Sequence, residues 1–198
     1  MLILVRHGES TGNAAALLLG RIDAPLTERG LEQARALGPS VIEVDRVISS
    51  PLQRARDTAE ALGTGVPIEI DERWIEVDYG ELDGRPLGSV PPEMWATWRS
   101  DPNFRPPGGE TLFELGTRVR SACEELFETD GKGARAKGAV VVVTHMSPIK
   151  AATCWTLGLG DIGAWRLYLA TASITRIGWG PTGPVLNSFN ETPRSTLG

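Results

Sequence analysis

The chain has 198 residues, 41% of them hydrophobic, which suits a sizeable core in one α/β domain. Its formal net charge of −5 argues against broad electrostatic binding of nucleic acid. No apolar run is long enough to span a membrane, no basic leader precedes the first apolar run, and the two cysteines, Cys123 and Cys154, match no metal-ligand spacing, so a reducing cytoplasm is the expected location.

Leu2 to Val5 are unbroken aliphatics, the pattern of a strand buried on both faces. Arg6-His7-Gly8 ends the run, and Gly8 permits a sharp turn or a close approach. Ser10 and Asn13 can cap or donate to an anion. A short helical patch is expected over Ala14 to Leu19, ended by Gly20. Thr27 reads as the N-cap of a helix over Glu28 to Leu37. Arg46 to Ser49 is a second short buried strand. Ser50 with Gln53 reads as a capping box, with Pro51 at the first helical position of the next helix. Pro67 to Ile70 alternates like a strand. Asp71 to Gly88 has little periodicity, and Pro91 to Arg99 suits a helix carrying Trp95 and Trp98. Thr111 and Glu114 form another capping box for a helix to Phe127. Gly131 to Gly138 reads as a basic, mobile surface loop. Ala139 to Val143 is a strand, followed by Ser147-Pro148 as cap and first-turn proline of a helix to Leu157. Trp165 to Trp179 is β-rich, with Leu167 and Leu169 in strand-like settings. Pro184 to Phe189 is a last, edge strand, and residues 190–198 read as a loose tail. The alternation of strands and helices predicts a three-layer α/β/α sandwich with a mostly parallel sheet and helices on both faces, in a single domain over residues 1–198.

Three predicted strands end in polar residues. The first delivers Arg6 and His7, the second Ser49 and Ser50 with Arg54 or Arg56 one turn on, and the strand at Ala139 to Val143 delivers Thr144 and His145. The chain has no other histidine. Ligands of open parallel sheets bind beyond the carboxyl ends of the strands. If these strands are neighbours, both imidazoles and at least two arginines share one pocket, with helix N-termini aimed into it. That combination suits phosphate: arginine forks match its oxygens, one imidazole can attack phosphorus, and the other can stabilise the transferred group. Neither histidine has a ligand at metal-site spacing, and nearby arginines would repel a cation, so no metal is expected.

Arg6-His7-Gly8-Glu9-Ser10, followed by Asn13, resembles the signature of the histidine phosphatase superfamily, the phosphoglycerate-mutase-like proteins. Gly20 with Asp23, Pro25-Leu26-Thr27, Gly30 and Gln33-Ala34 are similar to a second block of that family. Ser49-Ser50-Pro51-Leu52-Gln53-Arg54-Ala55 with Thr58-Ala59 are similar to a third. Glu76 to Gly80 with Gly84, then Pro107-Gly-Gly-Glu110-Thr111 and Val143-Thr-His145, continue in the family's order. The resemblance implies the phosphoglycerate-mutase-like fold and the site. His7 would be the nucleophile that becomes phosphohistidine. Arg6, Arg54 and His145 would hold the phosphoryl group, and the family pattern chooses Arg54 over Arg56. Glu76 would be the proton donor, with Glu72, Asp78, Glu81 and Asp83 as local competitors. Ser10 and Asn13 would contact phosphate or fix the loop, and Met146 would join the substrate contacts. No cofactor is implied. Arginines near His7 should depress its pKa, and activity should rise toward mildly acidic pH.

The family holds both phosphatases and phosphoglycerate mutases. The stretch from Glu76 to His145 is short, and Arg85, Arg99 and Arg105 are dispersed in it. Asp78 stands where mutases of the family have a histidine. The expected activity is therefore metal-independent hydrolysis of small phosphorylated metabolites, with cofactor-dependent phosphoglycerate mutase as the alternative and a non-catalytic phosphate-binding module behind it. Trp95 and Trp98 read equally as a lid packed on the core or as a substrate-facing wall. The partners are a small phosphorylated substrate, without nucleic acid or membrane, in a monomer or homodimer.

Overall fold

A computed structural model describes residues 1–127 and 138–193. Strands β1 (Leu2–Arg6), β2 (Arg46–Ser49), β3 (Ile68–Ile70), β4 (Val140–Thr144), β5 (Ile174–Gly180) and β6 (Gly183–Glu191) form one sheet in the order β3-β2-β4-β1-β5-β6. The first four strands of that order run parallel, and β5 and β6 are antiparallel. Successive side chains of a strand face opposite ways. Leu2 and Leu4 of β1, with Val140 and Val142 of β4, therefore join one core, and Ile3, Val5, Val141 and Val143 join the other. Full burial of each such aliphatic contributes about 1.5–3 kcal/mol, which is why these two strands occupy the middle of the sheet.

Helices α2 (Glu28–Leu37) and α3 (Gln53–Ala61) cover the second core through Leu37, Ala55 and Ala59. Helices α5 (Leu112–Phe127) and α6 (Met146–Thr156) cover the first through Leu115, Val119, Ile149 and Ala152. Helix α4 (Pro92–Ser100) closes the rim of that first core with Trp98, which is fully buried. The fold is the expected α/β sandwich.

Several local expectations are corrected. The first helix, α1, is Thr11–Ala14 rather than Ala14 to Leu19. Ser10 and Asn13 form its capping box, and Ala16 turns left-handed at φ 54°, which stops it. Leu18 N–H then bonds the Arg85 carbonyl instead of continuing a helix. Helix α3 begins after Leu52, without a side-chain cap of its own. Ser50 is taken by His145, and Asp23 from a distant loop accepts the Gln53 N–H at 2.7 Å. Helix α6 begins at Met146, directly off the strand end, so Ser147 lies inside its first turn rather than capping it.

Residues 161–166 form a 3-10 helix, and Leu167 and Leu169 precede β5 without joining a strand. There the Leu169 carbonyl accepts Arg6 Nη1 at 2.5 Å, a contact that strand pairing would have used up. The edge strand β6 runs through Asn190 to Glu191, past the expected start of the loose tail. The expected loop at Gly131 to Gly138 lies outside the described residues except for Gly138, as do residues 194–198. The capping box at Thr111 and Glu114 is present. Among the described residues, no helix is long and apolar enough to cross a membrane.

Candidate active site

The sheet register brings the polar strand ends together. Arg6 pairs with Thr144 and Ser49 with Val143, so the next residues, His7, His145 and Ser50, are carried to one edge. The two imidazoles lie edge to face with centroids 5.1 Å apart. Both are buried. Burial is the largest cause that lowers both pKa values well below the ordinary histidine range, and Arg54 and Arg6 act in the same direction. The expected depression is present, with desolvation ranking above the arginines.

The bonds fix the His7 tautomer and allow two for His145. His7 Nδ1 lies 2.7 Å from the Gly8 carbonyl, which can only accept, so Nδ1 carries the proton and Nε2 keeps its lone pair. His145 Nε2 lies 2.7 Å from Ser50 Oγ. The Ser50 hydroxyl has a proton to give to Nε2 besides accepting the Leu52 N–H, and in the tautomer where it does so His145 Nδ1 carries an N–H, the form an oxyanion facing Nδ1 selects. His145 Nδ1, Arg6 Nε and Arg54 Nε are buried and have no hydrogen-bond partner among the described residues. Burying such donors unpaired costs about 1–3 kcal/mol each. Three of them at one sheet edge suit an oxyanion.

Each arginine is held from behind. Arg54 Nη1 and Nη2 donate to the Ile22 and Gly20 carbonyls at 2.9 and 2.6 Å. The loop carrying those carbonyls is gripped by Asp83, whose carboxylate accepts the N–H groups of Gly20, Arg21 and Ile22 at 2.7, 2.8 and 2.9 Å. Arg6 and Arg54 are both charged against the pull of burial, and Glu76 is the first group offsetting that pull for each.

Glu76 is 4% exposed. Its Oε1 accepts the Val77 N–H at 2.8 Å and the Ser147 N–H at 3.2 Å, so a free amide of the α6 first turn meets this carboxylate. The local competitors are otherwise engaged. Glu72 and Glu81 are exposed, Asp78 faces Arg21 at 3.4 Å, and Asp83 holds the 20–22 loop. Ser10 and Asn13 bond each other, which orders the loop after His7. Met146 starts α6 and is partly buried.

Arg118 was not singled out from the sequence, since it lies mid-helix without a motif. Its Nη1 donates to the Arg73 and Ile75 carbonyls at 2.6 and 2.8 Å, and its Nη2 to the Glu76 carbonyl at 3.2 Å. Its Nε also pairs with Glu110 at 2.7 Å, and Glu110 accepts the Asp78 N–H. Arg118 thus staples the irregular Arg73–Asp78 segment to α5. The glycine of the first motif has an equally concrete reason. A Cβ on Gly8 would stand 2.1 Å from the Gly30 carbonyl oxygen, and one on Gly30 would stand 2.0 Å from that of Glu9. Two glycines let α2 press against the loop that carries His7.

The histidine phosphatase superfamily (branch 1) model matches residues 2–192. A Hydrogenobacter thermophilus protein named as a candidate phosphoserine phosphatase is 32% identical over 184 residues, 89% of this chain and 88% of that protein. A Yersinia pestis protein named "Probable phosphoglycerate mutase GpmB" is 32% identical over 203 residues, 96% of this chain and 92% of that protein. The solved structure of a mycobacterial glucosyl-3-phosphoglycerate phosphatase in complex with VO3 superposes with a TM-score of 0.84 at 27% identity, covering 96% of this chain and 99% of that one. The chain belongs to the histidine phosphatase superfamily.

Proposed function

We propose that the protein is a phosphomonoesterase acting on small phosphorylated metabolites through a phosphohistidine on His7. The observation that carries this reading is the meeting of two neutral, buried imidazoles with two arginines whose Nε groups and the His145 Nδ1 lack partners among the described residues. His7 Nε2 attacks phosphorus and the ester P–O bond breaks. Glu76 gives its proton to the departing alcohol oxygen. Water then attacks the phosphohistidine, Glu76 takes its proton, and inorganic phosphate leaves with His7 restored. Arg6, Arg54 and His145 Nδ1–H hold the phosphoryl oxygens as charge shifts onto them. Two guanidinium groups supply the positive charge that a metal ion supplies in other phosphatases, and the reaction proceeds without one.

The test is hydrolysis of p-nitrophenyl phosphate in EDTA. Wild type releases nitrophenol, and His7→Ala lowers kcat at least about 10³-fold, as loss of a nucleophile does elsewhere. Acid-labile 32P label on wild type and none on His7→Ala checks the intermediate. No release by wild type across a panel of phosphate esters favours a phosphate-binding module instead.

A second reading, phosphoglycerate mutase, is favoured by the match to the Yersinia protein over 96% of the chain. It differs only in the acceptor, a second substrate hydroxyl in place of water. Interconversion of 2- and 3-phosphoglycerate faster than phosphate release would establish it.

A further inference from the structure

A cavity of about 210 Å³ has Val77, Tyr79, Met146, Trp95, Trp98 and Trp165 in its lining, and Val77 and Met146 each follow a site residue, Glu76 and His145, in the chain. Its position relative to the acid is informative. Val77 follows Glu76 in the chain, and Ser147, also on the wall, donates its N–H to the Glu76 carboxylate. On the phosphatase reading, on which this inference rests, Glu76 protonates the ester oxygen, so the alcohol portion of the substrate extends past Glu76 into this space.

The wall is aromatic and aliphatic. Trp95 stacks on Trp98 at 5.5 Å, and Trp165 meets both edge-on at 5.9 Å. Most polar groups on the wall are already engaged. Trp165 Nε1 donates to the Trp98 carbonyl at 3.1 Å, and the Tyr79 hydroxyl bonds Ser147. Lys150 also lines the wall, and burial, followed by the Arg6 charge, lowers its pKa from the ordinary lysine value. Trp98 Nε1 has no partner among the described residues. A sugar alcohol would bring several hydroxyls to a wall that is mostly apolar, with the Lys150 ammonium and Trp98 Nε1 among its few polar groups, and hydroxyls beyond their reach would be buried unpaired. For scale, a cavity of about 150 Å³ lined by aliphatic and aromatic groups holds benzene.

We propose that the preferred substrates are phosphomonoesters of apolar alcohols about the size of a substituted benzene ring, seated against Trp95, Trp98 and Trp165. Cleavage of such an ester by water yields the free alcohol and inorganic phosphate.

Benzyl phosphate and glucose 6-phosphate both release a primary alcohol, which largely matches their leaving groups. The inference expects kcat/KM for benzyl phosphate to exceed that for glucose 6-phosphate by at least about tenfold, the scale on which pocket contacts discriminate. Ala164→Phe, which fills the cavity from its wall, should lower kcat/KM for benzyl phosphate at least about tenfold more than for ethyl phosphate. Binding is read separately from turnover by tryptophan fluorescence: benzylphosphonate should quench it at lower concentration than methylphosphonate. Equal or reversed preference between the two esters overturns the inference and leaves the phosphatase reading standing. If no ester is hydrolysed, the phosphatase reading fails. Benzylphosphonate binding no tighter than methylphosphonate then overturns this inference on its own ground.

Discussion

Glu76 and Arg118 divide one task at the scale of single residues. Glu76 meets the amides of Val77 and Ser147, and Arg118 holds the Glu76 carbonyl and its neighbours from the other side. On the proposed mechanism Glu76→Gln keeps the shape and removes the transferable proton, so kcat should fall by about 10²–10⁴. The loss should be smaller for p-nitrophenyl phosphate than for benzyl phosphate, because nitrophenolate leaves without help. Arg118→Met leaves Glu76 in place chemically but frees the segment that aims it. We expect kcat to fall about tenfold or more with KM little changed, following the sensitivity of catalysis to small misplacements. An Arg118→Met enzyme with the same leaving-group dependence as wild type and unchanged kcat would show that the staple serves stability alone.

Among the elements, α2 and the loop after β1 set the tightest tolerance. The Gly8–Gly30 crossing leaves no room for a Cβ on either side. Gly30→Ala must push α2 away from the loop, and the cost expected for such overpacking is about 1–3 kcal/mol. For a chain of this size that lowers Tm by about 2–12 °C. Activity should fall as well, because Gln33 of α2 also accepts the Glu9 N–H at 2.9 Å and steadies the same loop. A thermal melt and a kcat measurement on one preparation check both; an unshifted Tm would mean that the crossing relaxes freely. The 20–22 loop is the second such element. Asp83→Ala releases three backbone N–H groups and loosens the carbonyls that grip Arg54. The expected result is a KM raised about tenfold or more for every phosphate ester tried, since the lost contact is to the shared group.

For the whole molecule, two buried neutral histidines couple folding to pH. Their folded pKa values lie well below the ordinary value of 6.5, which the unfolded chain regains. Above that value both states are neutral and the full stability is present. As pH falls below it the unfolded chain takes up protons that the folded chain refuses, and stability is lost. The slope is at most about 1.4 kcal/mol per pH unit for each histidine. Urea midpoints at pH 7.5 and 5.5 should therefore differ, with the acid value lower. The difference should shrink in the His7→Gln, His145→Gln double variant. If the two arginines hold phosphate as proposed, inorganic phosphate should raise the midpoint of wild type, because the unfolded chain has no such site. Equal midpoints at the two pH values would contradict the burial of neutral rings.

The chain itself determined the elements whose causes are local. Val140 to Thr144 read as a buried strand, because four consecutive β-branched valines in so short a run suit a strand hidden on both faces. Helix α2 follows from Thr27 and its apolar face, and α5 from the Thr111–Glu114 box. The strand ends, with His7, His145, Arg6 and Arg54 on or just after them, were legible because polar residues stop apolar runs abruptly. What waited for tertiary structure were the contacts made between distant segments. Asp23 caps α3 from another loop, Asp83 serves Arg54 through carbonyls it does not touch, and Arg118 reaches the acid segment from mid-helix. Ser50 and Ser147 looked like caps because serine usually is one at such positions. The fold gave Ser50 to His145 and set Ser147 beside Glu76. Local free energies choose helices and strands residue by residue, but a side chain's partner is chosen by whatever the packed chain brings within reach, and no short window of sequence contains that.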